Sequence, residues 1–339
     1  MYAGRRVLVT GGLGFIGSNL AIRLVEQGAL VTIVDSSVPG CGANGFNIQP
    51  VKDRVRIIEA DISDAAQFED EIRAADVIFN IAGEISHPES MRYPERDLRL
   101  NTVAHLRFLL VCRAAHPGVR IVYASTRQIY GRARYLPVDE EHPANPVDFN
   151  GIHKRASTQY HLLLSRLGEL DAIVLRLTNV YGPRAALDLP HQGFLSAFIR
   201  AALLGQPLTV YGDGSSVRDP IYIDDAVEAF LLAGAAGVHP SRVYNVGGPE
   251  TLPVRALAEA VTAIARNPLV VYTPFPVGRE SIDVGAFTAS SDRIRRELGW
   301  SARTRFCDGI RQTLSYYEKH LNAYLRPVGS HLELAAQAV

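Results

Sequence analysis

Three glycines and one aspartate near the N terminus have the residue types and the spacing needed to bind a dinucleotide. Gly11, Gly14 and Gly17 lie three residues apart. In such a pattern the first glycine permits a tight turn, the second lets the backbone approach a pyrophosphate, and the third lets a helix pack closely on a sheet. Asp35, 18 residues after Gly17, is placed to accept hydrogen bonds from a ribose.

The segments around these residues predict the elements that such a site requires. Residues 7–9, Val-Leu-Val, indicate a buried strand, the apolar period then becomes helical, and a second strand over 30–34 ends on Asp35. The start of the helix offers free N–H groups and a partial positive charge to phosphates. Asp35 is followed by two serines and by no nearby arginine that would bind a 2′-phosphate, so the sequence favours NAD over NADP.

Strands and helices alternate through the first two-thirds of the chain, which predicts a Rossmann-type, doubly wound parallel α/β sheet. We expect strands over 6–10, 30–35, 54–59, 77–81, 120–124 and 172–177, and helices near 16–27, 65–74, 97–115 and 150–167. Further helices are predicted near 192–204, 225–236, 254–266 and 291–298, with short strands near 208–211 and 220–223. This gives an NAD-binding domain over 1–180 with later strands returning from about 208–250, a smaller substrate-binding lobe mainly over 181–325, and a loose tail over 326–339.

The composition is that of an ordinary soluble enzyme. Of 339 residues, 47% are hydrophobic and 21% are charged, and Lys+Arg and Asp+Glu balance at 35 each. This balance gives no electrostatic argument for a nucleic-acid or membrane partner. The three cysteines lack metal-ligand spacing, so we expect no metal site and a reducing compartment. The N terminus leads directly into a strand, so we expect no signal peptide and a cytoplasmic location.

Several motifs together resemble the extended short-chain dehydrogenase/reductase family, specifically its nucleotide-sugar epimerases and dehydratases. The similarity covers roughly residues 5–320 and rests on segments spread along that range. They are TGGLGFIG at 10–17, Asp61-Ile62, NIAG at 80–83, Asn101, AST at 124–126 with IYG at 129–131, RLTNVYGP at 176–183, VRD at 217–219 with YIDD at 222–225, Arg279 and ELGW at 297–300.

This resemblance implies roles for individual residues. The residues expected to bind NAD are Gly11, Gly14, Phe15, Ile16, Gly17, Asp35, Asp61, Ile62, Ala82, Asn101 and Lys154. Those expected to bind the nucleotide diphosphate sugar are Glu84, Ser86, Arg127, Asn179, Arg218 and Arg279. Arginine forks match phosphate oxygens, and Arg127 is also suited to bind a uronic acid carboxylate, although a surface position would explain it equally well. The resemblance further implies a homodimer.

The catalytic pair of the family is incomplete in this chain. The family carries Tyr-x-x-x-Lys on the helix after its Ser/Thr strand, a spacing that places both side chains on one helix face. Lys154 is present, but Asn150 occupies the tyrosine position. An amide has no pKa near neutrality and cannot be a general base.

Three interpretations of this departure remain open. In the first, the protein still catalyses redox chemistry: Thr126 bonds the reacting hydroxyl, Asn150 orients it, and the proton leaves through water or a nearby group. His87 is one candidate base and His153 is another, although the helical phase of His153 turns it away. In the second, Asn150 and Lys154 bind substrate while different chemistry occurs. In the third, the protein binds NAD or a nucleotide sugar without catalysis.

The residues after Thr126 narrow the reaction. The family's 4,6-dehydratases have an Asp-Glu pair there, whereas this chain has Arg127 and Gln128, which do not exchange protons usefully at neutral pH. The family's C3 and C5 epimerases have a cysteine near this strand end, which this chain lacks. Epimerisation at C4 needs only reversible hydride transfer and is the simplest expectation. A one-way NAD-dependent oxidoreductase or another modifying enzyme acting on a nucleotide sugar is the alternative.

Overall fold

The computed structural model describes residues 1–189, 193–235, 237, 242–266, 269–278 and 280–325. The predicted tail over 326–339 and Arg279 lie outside these residues. Within them, no helix is both long enough and apolar enough to cross a membrane.

The strands and helices follow one another along the chain. The strands are β1 Arg6–Thr10, β2 Leu30–Asp35, β3 Val55–Glu59, β4 Val77–Asn80, β5 Arg120–Thr126, β6 Asp171–Leu177, β7 Val180–Tyr181, β8 Leu208–Tyr211, β9 Val217–Arg218, β10 Ile221–Tyr222, β11 Val243–Val246, β12 Leu252–Pro253 and β13 Val270–Thr273. The α-helices are α1 Phe15–Glu26, α2 Glu69–Ala74, α3 His87–Arg92, α4 Pro94–Leu98, α5 Ala104–Ala115, α6 Phe149–Arg166, α7 Phe194–Leu203, α8 Ile223–Ala235, α9 Val254–Ala265, α10 Asp292–Leu298 and α11 Phe306–His320.

Seven strands form one parallel sheet in the order β11-β6-β5-β4-β1-β2-β3. The order reverses between β1 and β4, so the crevice at the carboxyl ends of these two strands is where a ligand of such a sheet binds. The predicted fold, a doubly wound Rossmann-type sheet, is confirmed.

Successive residues of the central strands face opposite layers, as strand geometry requires. On β1, Val7 and Val9 pack into one hydrophobic core and Leu8 into the other. On β4, Val77 and Phe79 join the first core and Ile78 the second. Because both faces are covered by helices, the strands are apolar on both sides, and the sheet holds the functional loops at its carboxyl edge.

The residues after β6 contribute both to the large sheet and to smaller strand pairs. β11 pairs with β6 and extends the large sheet. The remaining strands form two-stranded pairs outside it: β7 with β10, β9 with β12, and β8 with β13. The predicted helix over 97–115 is interrupted, because residues Arg99–Val103 form a π-helical turn between α4 and α5. Such turns often occur at functional sites, and this one contains Asn101.

Candidate functional site

The turn between β1 and α1 has the close packing that its glycines predict. A Cβ atom on Gly17 would lie 2.2 Å from the carbonyl oxygen of Gly11. Gly11 itself has φ +67°, a conformation that favours glycine. Gly14 precedes α1, no side chain caps this helix start, and its first turn holds no acidic residue. The first N–H groups of α1 are therefore available to an anionic group.

A cavity opens beside this turn at the carboxyl edge of the sheet. Among its lining residues are Gly11, Gly14, Phe15, Ile16, Gly17, Asp35, Asp61, Ile62 and Ala82. The structure thus brings these predicted cofactor residues to one concave surface. A dinucleotide fits this surface, because the glycine turn offers backbone groups, the start of α1 is uncapped, and an acid stands at the end of β2.

The two carboxylates in this cavity also organise their own loops. The Asp35 carboxylate accepts hydrogen bonds from the backbone N–H groups of Leu13 and Ser37, both at 2.9 Å. Burial raises the pKa of Asp35, and these two N–H groups partly oppose the rise. Asp61 accepts a bond of 2.7 Å from the N–H of Ser63.

Lys154 and Asn101 meet at Gly83, which also lines the cavity. A Cβ atom on Gly83 would lie 2.6 Å from Lys154 Nζ and 2.7 Å from Asn101 Oδ1. Asn101 Oδ1 accepts a bond of 3.1 Å from the N–H of Glu84. Its Nδ2 is buried and has no hydrogen-bond partner in the described part of the chain. The predicted residues from α6 and from the π-helical turn therefore reach the same end of the cavity.

The ammonium of Lys154 is buried. Burial lowers its pKa to about 8, although the carboxylates of Asp97 and Glu84 favour its charge. It lies 5.9 Å from the centre of the Tyr123 ring.

Asn150 takes part in a buried polar network behind Lys154. Its Nδ2 donates to the Glu84 carbonyl at 3.1 Å and to Asp97 Oδ2 at 2.9 Å. The other Asp97 oxygen lies 2.7 Å from Nδ1 of His153. Both amide hydrogens of Asn150 are therefore engaged, so this side chain has only its oxygen left for a hydroxyl group.

His87 lies next to the loop that carries Thr126. His87 Nδ1 is 2.9 Å from Asp148 Oδ2, and the His87 side chain is 34% exposed. Asp148 caps α6 by accepting a bond of 2.6 Å from the N–H of Gly151, and it accepts a bond of 3.1 Å from Gln128 Nε2. Burial acts to raise the pKa of Asp148, but its interactions with His87, Gly151 and Gln128 together hold the pKa below its usual value.

Thr126 and two of the predicted substrate residues, Glu84 and Ser86, form hydrogen bonds within the protein. Thr126 Oγ1 accepts a bond of 3.2 Å from the N–H of Gln128. The Glu84 carboxylate accepts from the N–H groups of Ile85 and Ser86, at 2.9 and 3.0 Å, and its other oxygen accepts from the Cys41 thiol. Ser86 caps α3. A direct contact of Glu84 or Ser86 with substrate stays a prediction.

The predicted substrate residues Arg127, Asn179 and Arg218 belong to three different segments: Arg127 follows β5, Asn179 lies between β6 and β7, and Arg218 is on β9. Arg218 donates to the carbonyls of Val217 and Gly285 and lies 3.4 Å from Asp283 Oδ1. Asn179 Oδ1 and Arg127 Nη1 are buried without a hydrogen-bond partner in the described residues. Arg279, the remaining predicted substrate residue, is not described.

Sequence reasoning did not assign functional roles to Asp148 and Asp97. Asp148 stands three residues before Gly151 at the start of a helix, a typical capping position, which signals a structural role but not its contact with His87. Asp97 carries no motif signal, and only the packing of α4 against α6 reveals it.

The sheet, the cradle and the cavity define a dinucleotide-binding protein of the Rossmann type. Residues 7–247 match the model of the NAD dependent epimerase/dehydratase family, and the chain belongs to this family. The family is NAD-dependent. Proteins that are structurally similar to this chain have been crystallised with NAD.

Individual relatives are similar over nearly the whole chain. A UDP-glucose 4-epimerase of Mycolicibacterium smegmatis (strain ATCC 700084 / mc(2)155) is 32% identical over 323 residues, covering 92% of this chain and 98% of that protein. The structure of a UDP-glucose 4-epimerase from Thermotoga maritima with UDP-glucose has a TM-score of 0.84 and 29% identity, covering 93% of this chain and 99% of that one. A dTDP-glucose 4,6-dehydratase from Streptomyces venezuelae, solved with NAD, has a TM-score of 0.82 and 28% identity, covering 93% and 97%.

Proposed function

We propose that this protein is an NAD-dependent nucleotide-sugar epimerase that acts by transient oxidation at the sugar C4 and re-reduction from the opposite face. The glycine turn and Asp35 would hold NAD, and the bound cofactor would supply reversible hydride transfer. The observation that carries the proposal is the His87–Asp148 pair, with Nδ1 and Oδ2 2.9 Å apart. It supplies a proton acceptor in a chain whose family tyrosine is Asn150.

The partner of His87 favours one tautomer. Because Asp148 accepts a hydrogen bond from Nδ1–H, the neutral form of His87 has its free lone pair on Nε2. An imidazole held in this way by a carboxylate is the arrangement of a general base in many enzymes. We assign removal of the hydroxyl proton to Nε2 of His87.

Three further side chains position the sugar and the cofactor. Thr126 Oγ1 already accepts a bond from a backbone N–H, so its own hydrogen is left to donate to the sugar oxygen. Asn150 can accept a bond from a sugar hydroxyl through Oδ1 but cannot take its proton. The Lys154 ammonium beside Gly83 supplies positive charge to the end of the cavity where the cofactor ribose is expected.

The residues after Thr126 support epimerisation over dehydration. The family's dehydratases carry an Asp-Glu pair at these positions. Here the two positions hold the Arg127 guanidinium and the Gln128 amide, and Gln128 is already engaged with Asp148. Neither side chain exchanges protons at neutral pH, so loss of water has no proton donor at that place.

The test combines product analysis with variants of the pair. Wild-type protein incubated with NAD and a panel of uridine, thymidine, guanosine and cytidine diphosphate sugars is expected to yield C4-epimerised product from at least one. His87→Gln and Asp148→Asn should each lower kcat by roughly 10²–10⁴-fold. Asparagine at 148 retains the helix cap while its amide lacks the charge that orients the imidazole, so NAD affinity should not change.

Three outcomes would contradict the proposal in different ways. Net formation of NADH would indicate a one-way oxidoreductase. Binding of nucleotide sugars without turnover across the whole panel would indicate a non-catalytic binding protein. Full activity of His87→Gln would remove His87 from the mechanism.

A further inference from the structure

Several polar atoms at the boundary between the sheet and the lobe are buried without a partner. They are Arg127 Nη1, Gln128 Oε1, Asn179 Oδ1 and Asp219 Oδ1, none of which has a hydrogen bond in the described part of the chain. Buried polar atoms in folded proteins are nearly always hydrogen-bonded. Thr178 donates to the carbonyl of Asp219 at 2.8 Å, which joins the end of β6 to the 217–219 segment. A polar ligand bound here would supply the hydrogen-bond partners that these atoms lack.

Arg127 is the charged member of this set. Its guanidinium lies 5.0 Å from the centre of the Phe287 ring, a contact that fixes the plane of the fork. No carboxylate within the described residues forms an ion pair with it. Burial and the nearby charge of Arg218 lower its pKa to about 10, while Asp219, Asp283 and Asp148 favour its charge. The guanidinium is therefore charged at neutral pH.

The acidic groups near Arg127 have other partners, although Oδ1 of Asp219 has none among the described residues. Asp283 Oδ1 accepts from the N–H of Gly285 at 2.8 Å and faces Arg218. Asp148 holds His87 and Gln128. Asp219 accepts through Oδ2 from the N–H of Ala289 at 2.9 Å, and burial raises its pKa to about 7. A charged, fixed guanidinium without its own carboxylate is a site that prefers an anionic ligand group.

We propose that Arg127 binds a carboxylate on the sugar, so that the substrate is a nucleoside diphosphate uronic acid. The inference rests on the proposed function, because Arg127 directly follows Thr126, which is assigned to the reacting hydroxyl. Arg218 remains the residue expected to bind the diphosphate. A neutral sugar would offer Arg127 only a hydroxyl group, whereas a carboxylate matches the fork with two parallel hydrogen bonds.

The test compares two ligands that differ only at C6 of the sugar. UDP-glucuronate and UDP-glucose are titrated calorimetrically into the full chain saturated with NAD. Wild-type protein is expected to bind UDP-glucuronate at least about tenfold more tightly. Arg127→Gln should abolish this difference, mainly by weakening the binding of UDP-glucuronate. Arg127→Lys, which keeps the charge without the fork, should restore part of it.

Arg107→Gln is the matched control, because Arg107 is an exposed arginine on α5, and it should keep the wild-type preference. Equal affinities for the two sugars in wild-type protein would overturn the inference, as would a preference that persists in Arg127→Gln. If UDP-glucose binds and is epimerised without such a preference, the inference alone fails. If NAD binds but neither the two sugars nor UDP does, the proposed function fails with it.

Discussion

The cavity beside the glycine turn and the crevice around Thr126 and Asn150 differ in what builds them. Backbone groups build most of the cavity. The start of α1 has no side-chain cap, Gly17 packs against Gly11, and Asp35 accepts hydrogen bonds from two backbone N–H groups. The crevice is built by side chains that meet from distant segments, as His87 meets Asp148 and Asn150 meets Asp97. Backbone cradles permit few substitutions, whereas a side-chain network can replace one member when another group takes over its task.

The largest effect is expected for a substitution of Lys154, which lies on α6 and reaches Gly83 at the end of the cavity. Lys154→Met should lower kcat by roughly 10³-fold, since turnover would lose the buried ammonium beside Gly83. Steady-state kinetics with the preferred nucleotide sugar measures this effect. Lys52→Met changes an exposed lysine and should have no effect. Normal turnover of Lys154→Met would rule out redox chemistry at this site.

The pH dependence of the wild-type protein adds a second measurement at Lys154. Burial lowers the pKa of this ammonium to about 8, so the group loses its charge as the pH rises through about 8. Turnover should therefore fall over that range and be retained below it. A rate that stays constant up to pH 10 would contradict the assignment.

The backbone character of the cavity is tested by adding one methyl group. Gly17→Ala places a Cβ 2.2 Å from the Gly11 carbonyl oxygen, so the turn must move. We expect NAD affinity to fall by about 100-fold, which corresponds to roughly 2.7 kcal/mol. Gly45→Ala is the control, because a Cβ on Gly45 meets no atom within 4 Å. NAD affinity that is unchanged in Gly17→Ala would mean that the cofactor does not use this turn.

The smallest expected effect concerns the network behind the active site. Asn150→Ala leaves Asp97 without one of its donors, and we expect a loss of about 1–3 kcal/mol in the free energy of unfolding. Asn145→Ala, a change in an exposed side chain, should stay within about 0.5 kcal/mol of wild type. Chemical denaturation measures both. Equal stabilities would show that the Asn150–Asp97 bond is not structural.

The Asn150→Tyr variant tests whether a tyrosine at this position can act as the family's base. Because residue 150 is buried beside Asp97 and the Glu84 carbonyl, a phenol there displaces a donor of Asp97. We expect this variant not to gain activity, in contrast to an enzyme whose only defect is the missing tyrosine. A rise in kcat would show that the crevice still accepts the family's base.

Sequence reasoning recovered the first two-thirds of the fold because its strands are apolar runs bounded by turns. The strands β1, β2 and β8 have the predicted bounds, and the bounds of β3, β4, β5, β6 and β10 differ from prediction by one or two residues. No bounds were predicted for β7, β9, β11, β12 and β13. It missed α11, although Phe306, Ile310, Thr313 and Tyr317 repeat with the helical period and are buried. The π-helical turn at Asn101 gave no signal, because one additional residue in a turn leaves the apolar pattern almost intact.

The amino-acid sequence by itself determined the parallel sheet, the glycine turn and the acid at the end of β2. The strands and helices follow from local patterns of apolar residues, and the turn follows from the conformational freedom of glycine. Only the tertiary structure decided which distant side chains meet: His87 lies beside Asp148, Asn150 beside Asp97, and Arg127 over Phe287. Such pairs join segments that are far apart along the chain, and their distances depend on how helices and loops pack, which residue spacing does not encode.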